Sequence, residues 1–215
     1  MSKTSKITVK HYPNTNLKPQ TENGREKFPL YVQVIYDRKI YKFKSENEYF
    51  KYVDEKDLEI DYVNKILETE IKRVERCVEL LSKNNEKLLT SKDIYKYSKP
   101  LDKIIEKNFG KLINSEFADA PKHLTELSYT EINSLLFFLD GYDKIYTSEK
   151  VSSIKQIIGN LGYISLNFYE KDYCYIDFFY GDKFAEIYEI FESTVSGDEK
   201  YTKEYLENFR SFIDL

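Results

Sequence analysis

Apolar and polar residues alternate through the first 45 positions of the chain. In "SKITVKHY", residues 5–12, Ile7, Val9 and His11 fall on one side, with Lys6, Thr8, Lys10 and Tyr12 on the other. That period of two predicts a short, half-buried strand. "PNTNLKPQTENGREK", 13–27, is rich in Pro, amides and Gly, and reads as a loop. "FPLYVQVIYDRKIYKFKS", 28–45, reads as two strands, 29–37 and 40–45, folded around "DRK" at 37–39. Leu30, Val32, Val34 and Tyr36 share one face of the first, Tyr31, Gln33 and Ile35 the other. The expectation is a three-stranded antiparallel sheet.

From 61 to 83 the period becomes helical. Val63, Leu67, Ile71, Val74, Val78 and Leu81 form one stripe, and Glu68 and Lys72 are set for an i,i+4 pair. Thr90 and Asp93 make a capping box before a short helix, and Pro100 opens another over Leu101, Ile104, Ile105, Phe109 and Leu112. "NSEFADAPKHL", 114–124, reads as a linker. A capping box at Ser128 and Glu131 starts a helix that Gly141 ends, and a further helix over 149–158 stops at Gly159.

A second hairpin is expected next. "YISLNFY" would put Ile164, Leu166 and Phe168 inward, "YCYIDFFY" would do the same with Cys174, Ile176 and Phe178, and "EKD" would turn between them. Helices near 182–193 and 201–213 finish the chain. The class is α+β: an N-terminal three-stranded antiparallel sheet, a helical middle, and C-terminal helices with a β-hairpin. Two domains follow, a sheet head with its long helix over 1–113 and an acidic α+β domain over 114–215.

Charge sharpens this division. The net charge of −4 over 215 residues hides a basic head: residues 1–45 hold ten Lys/Arg against three Asp/Glu, a net +7, while the remainder is −11. Such a head suits a polyanion or an acidic partner, and Lys-rich edge strands also deter aggregation. Cys77 and Cys174 lie in apolar patterns and read as buried free thiols of a reducing compartment. No run approaches the length of a membrane span and "MSKTSKITVK" has no apolar leader core. The expected setting is a host cytoplasm or a virion assembled there.

Catalytic chemistry has little to draw on. The two histidines, His11 and His123, have no Cys or His neighbour suited to zinc, and no Gly-rich phosphate loop occurs. "EIK" at 70–72 fits the tail of a metal-nuclease pattern, but Glu70 and Lys72 lie on helix positions that do not face each other. The acidic run "DEKDLEID", 54–61, reads as a solvated approach to the helix. No enzyme, cofactor or metal is expected.

"KITVKHYPN", a polar loop, then "FPLYVQVIYDRKIYKFKS", and afterwards "YVNKILETEIKRVERCVELLSKNNEKLLTSKDI" at 62–94, resembles the N-terminal arm-type DNA-binding domain of tyrosine recombinases, the integrases of phages and mobile elements, of the Bacteroidetes kind. The resemblance covers about 1–113. It implies a three-stranded sheet laid in the DNA major groove. The catalytic part departs from that family, which needs an H-x-x-R: His11 leads to "YPN" and His123 to "LTE", and the one Arg after 76 is Arg210. The implied protein binds DNA without cutting it, as an accessory or regulatory factor.

Strand parity supplies a face for this contact. With Leu30, Val32, Val34, Tyr41 and Phe43 inward, Thr8, Lys10, Gln33, Lys42 and Lys44 point out. Lysines there would meet phosphates and Gln33 a base edge, with Arg25, Lys27, Arg38 and Lys39 clamping the backbone. Two alternatives use protein partners. One is a phage virion structural or adaptor protein of the portal, neck or tail, in which the same sheet and the outward aromatics Tyr163, Tyr169, Tyr173, Tyr175 and Phe179 make protein or homo-oligomer contacts. The other is an inhibitor of a host defence enzyme, its acidic tail mimicking nucleic acid.

Overall fold

The computed structural model describes residues 6–84, 89–106, 108, 149–180 and 183–194, with 202–203, 206–207 and 209–210. The linker at 114–124, His123 and the helix between Ser128 and Gly141 lie outside the described residues. The chain divides into two compact units. One is residues 1–99 together with 174–181, the other 100–173 with 182–215. The expected boundary near 114 is therefore replaced by a division after Lys99 and a return of the chain to the first unit.

One long strand organises the first unit. β1 (Thr8–Pro13), β2 (Gln20–Glu22), β3 (Arg25–Tyr36), β4 (Lys39–Lys44) and β5 (Tyr52–Val53) form an antiparallel sheet in which every other strand pairs with β3. The three expected strands are present. β2 and β5 are additional, and β2 occupies part of the expected loop. Its turn is Asn23-Gly24, both at positive φ (51° and 75°), a pair suited to a two-residue hairpin. "DRK" forms the other tight turn, with Asp37 and Arg38 at φ 48° and 61°.

The inner face follows the alternation. Val9, Val32, Val34, Tyr41 and Phe43 are buried against Val74 and Val78 of α1 (Asp61–Asn84) and Ile94 of α2 (Ser91–Tyr97). Leu30 and Val53 pack on Val63 and Leu67 of the same helix. α1 thus crosses the whole sheet with the stripe its spacing sets. α2 begins at the Thr90–Asp93 capping box, and the Lys42 amide donates to Ser91 Oγ (3.2 Å), so the start of α2 blunts the edge of β4.

The second hairpin is absent. Residues 149–170 form one helix, α3 (Glu149–Glu170), which runs through Gly159, and Tyr175–Phe178 form a single 3-10 turn. The physical reason is a shared spacing. Ile164 and Phe168 are inward in either reading, being i,i+2,i+4 on a strand and i,i+4 on a helix; Leu166 discriminates, and it is 57% exposed. "EKD" closes the helix instead of joining strands. Asp172 stands at φ 49°, its amide donates to the Tyr169 carbonyl (3.2 Å), and the Tyr173 amide donates to Phe168 (3.1 Å). That is a Schellman cap, completed by the Phe168–Tyr173 ring contact at 5.7 Å.

In the second unit α3 packs with α4 (Lys183–Thr194). Ile164, Phe168, Ile187, Ile190, Phe191 and Phe209 are buried there, with Leu101 and Ile105 of the helical stretch 101–106. Among the described residues no helix is long and apolar enough to cross a membrane.

Candidate nucleic-acid interface

The outer face of the sheet is a grid set by register. Thr8 pairs with Ile35 and Ile35 with Ile40; Lys10 with Gln33 and Gln33 with Lys42; Tyr12 with Tyr31 and Tyr31 with Lys44. The structure thus gathers Thr8, Lys10, Gln33, Lys42 and Lys44 on one face, with Lys10–Gln33–Lys42 as a single cross-strand row. Lys10, Lys42 and Lys44 are exposed and pair with no carboxylate among the described residues. The Lys42 ammonium lies 5.3 Å from the centre of the Tyr12 ring, and Tyr12 and Tyr31 stand 6.2 Å apart. Burial, then the neighbouring Tyr31, raises the Tyr12 hydroxyl above its ordinary pKa, so it is a neutral donor at pH 7.

The clamp residues divide differently. Arg25 binds Asp54 (3.0 Å) and Asp57 (3.3 Å), and Lys27 binds Glu22 (2.8 Å) and Asp57 (3.1 Å). Asp57 is buried. Burial pushes its carboxyl up, but the Asp54 amide, Lys27 and Arg25 together hold it below its ordinary value. The acidic run at 54–61 is therefore partly a buried anchor, and it neutralises two of the four clamp cations. Lys39 shares parity with Tyr41 and Phe43 and so lies on the core side of the sheet end. Arg38 remains, exposed at the tip of the turn.

Beneath the face, Glu70 holds three segments together. It accepts from His11 Nε2 (2.7 Å) on β1, from Ser45 Oγ (2.5 Å) after β4, and from the Glu46 amide (2.9 Å). The His11 and Glu70 side chains are 3% and 6% exposed. Burial pushes the Glu70 carboxyl up, yet these donors outweigh it and hold it below its usual value. The metal-nuclease spacing thus has a structural use: Glu70 is occupied as a buried acceptor, and Lys72 pairs with Glu68 (2.7 Å) on the surface.

An ion pair on a buried aspartate had no counterpart in the sequence reading. Arg76 of α1 grips Asp177 with Nε (3.1 Å) and a terminal nitrogen (2.8 Å), and Asp177 also accepts from the Cys174 amide (2.9 Å). Cys77, Leu81, Cys174 and Ile176 pack beside it. Burial, then Asp177, pushes the Cys174 thiol up to about 12, so it is not a nucleophile at neutral pH. The signal in the sequence was an isolated acid inside the aromatic run "YIDFF", which a buried position must neutralise.

Of the five aromatics assigned to protein contact, Tyr173 and Tyr175 are buried and Phe179 is half-buried against Tyr97 and Tyr175. Tyr163 and Tyr169 are exposed on α3, with Leu166 between them. Ile40 is the member of the sheet face that sequence reasoning missed; a two-residue turn at Asp37-Arg38 fixes it opposite Ile35. Comparison with family models, with curated proteins and with solved structures returns no match to this chain.

Proposed function

We propose that this chain is a non-catalytic DNA-binding protein that lays its basic N-terminal sheet in the major groove of a duplex, as an accessory or regulatory factor of a phage or mobile element. The observation that carries this reading is the outward row Lys10–Gln33–Lys42, with exposed lysines flanking a half-buried Gln33, lying opposite the face that packs on α1. Three strands spaced by about 4.8 Å span roughly 10 Å between their outer axes, against a major groove about 12 Å wide. Lysines on the flanking strands are set to reach the two phosphate backbones, and the central strand faces the base edges. The order of strands and the long helix behind them support kinship with integrase arm domains.

The test is fluorescence anisotropy of the whole chain with a mixed-sequence duplex across a salt series. Binding should weaken steeply with salt, each phosphate contact adding about 0.9 to the log–log slope. Lys42→Glu with Lys44→Glu should abolish binding while the circular dichroism stays that of the parent. Unchanged affinity in the folded double variant would remove the sheet from the interface.

A second reading, a virion structural or adaptor protein, draws support from the exposed α3 stripe of Tyr163, Leu166 and Tyr169. It expects an oligomer or a protein complex, which light scattering would size and Tyr169→Glu would dissociate.

A further inference from the structure

We infer that the sheet face discriminates A·T-containing duplex, with Gln33 reading an adenine and Ile35, backed by Ile40, touching a thymine methyl. This rests on the DNA-binding reading above and specifies its substrate. The central strand presents three outward residues, Tyr31, Gln33 and Ile35, in a column between lysine-bearing strands. A lysine at the centre would favour any phosphate; this centre is an amide and an aliphatic chain. A Gln amide offers both a donor and an acceptor, the pattern that matches adenine N6 and N7 in the major groove. Ile35 and Ile40 are directly paired across the strands and are 37% and 60% exposed. On a face otherwise made of lysines, an amide, tyrosines and Thr8, that pair is the aliphatic element, and the thymine C5 methyl is the apolar feature of the major groove. Spacing agrees. Two residues along a strand cover about 6.6 Å, close to two base-pair steps of about 3.4 Å. With strands running along the groove, Gln33 and Ile35 meet base pairs two steps apart.

The measurement is anisotropy of the full chain with four 20-bp duplexes, each across the same salt series. They are alternating A·T, alternating G·C, the A·T duplex with uracil for thymine, and the A·T duplex with 7-deazaadenine for adenine. The parent should prefer A·T to G·C by roughly ten-fold. Uracil should cost about four-fold in the parent and nothing in Ile35→Ala. Deazaadenine should cost several-fold in the parent and nothing in Gln33→Ala. Both positions are on the solvent side of the sheet, and circular dichroism checks the fold of each variant. Salt-sensitive binding that ignores all three base changes would overturn this inference and leave the DNA-binding reading standing. Absence of salt-sensitive binding to every duplex would overturn both.

Discussion

Residues 30–44 and 164–178 carry nearly the same surface pattern: two alternating apolar runs around a three-residue charged break containing Asp. The first is a hairpin and the second is a helix end followed by a 3-10 turn. The breaks differ in the number of left-handed residues. Asp37 and Arg38 are both at positive φ, which reverses a strand; Asp172 alone is, which caps a helix. The flanking residues differ as well. β3 and β4 bring Val32, Val34, Ile35 and Ile40, whereas α3 over 163–170 holds one β-branched residue, Ile164, amid Leu166, Asn167 and Ser165. Alternation over five positions is compatible with both periods, and β-branching with turn stereochemistry separates them.

Substitutions on α3 test this comparison most strongly. Ile164→Ala should cost about 3 kcal/mol, as for a buried aliphatic truncation, while Leu166→Ala should stay within about 0.5 kcal/mol. Equal losses in urea unfolding would restore the hairpin. On the sheet side, Glu70→Gln should lose about 2 kcal/mol at pH 7, since three donors meet a weaker acceptor at a buried position. Its folded pKa is depressed, so the carboxylate's contribution is complete above the ordinary value of 4.5 and is lost as pH falls below it. Thermal midpoints of parent and variant should therefore converge on acidification from pH 5; a gap that stays constant would contradict the role of the Glu70 carboxylate as the buried acceptor. The two turns should respond in proportion to their strain. Arg38→Gly should gain about 1 kcal/mol by relieving a left-handed Arg, and Asp172→Gly a few tenths, because Asp tolerates that region better. The reverse order in melting temperature would mean that the turn hydrogen bonds outweigh backbone strain. Smallest of all, Lys42→Ala should shift stability by less than about 0.5 kcal/mol, its contact with Tyr12 being exposed.

Much of the first unit was legible because each of its signals had one meaning. Period two between Val9 and Phe43, the stripe from Val63 to Leu81 and the Thr90–Asp93 box all correspond to observed elements. All five residues assigned to the outer face stand on it. What was not legible depended on partners distant in sequence. Arg25 and Lys27 read as free cations until Asp57 is placed beside them, 32 and 30 positions away. Glu70 read only as a helix position that does not face Lys72, because its partner His11 lies 59 positions upstream. Tyr173 and Tyr175 read as outward because strand parity was applied to a segment that is not a strand. Asn23-Gly24 is a different case: the hairpin signal was present and was absorbed into a loop assignment by its polar surroundings.

The return of residues 174–181 to the first unit bears on how the protein is made. Arg76 emerges from the ribosome long before Asp177, and 74 residues lie between Lys99 and Cys174. At about 5–20 residues per second that interval is roughly 4–15 s. During it the nascent sheet and α1 hold Arg76 without Asp177, and Cys77 and Leu81 without Cys174 and Ile176. The N-terminal unit is thus sealed after synthesis of most of the other unit, and a chain terminated before Asp177 would keep that seam open.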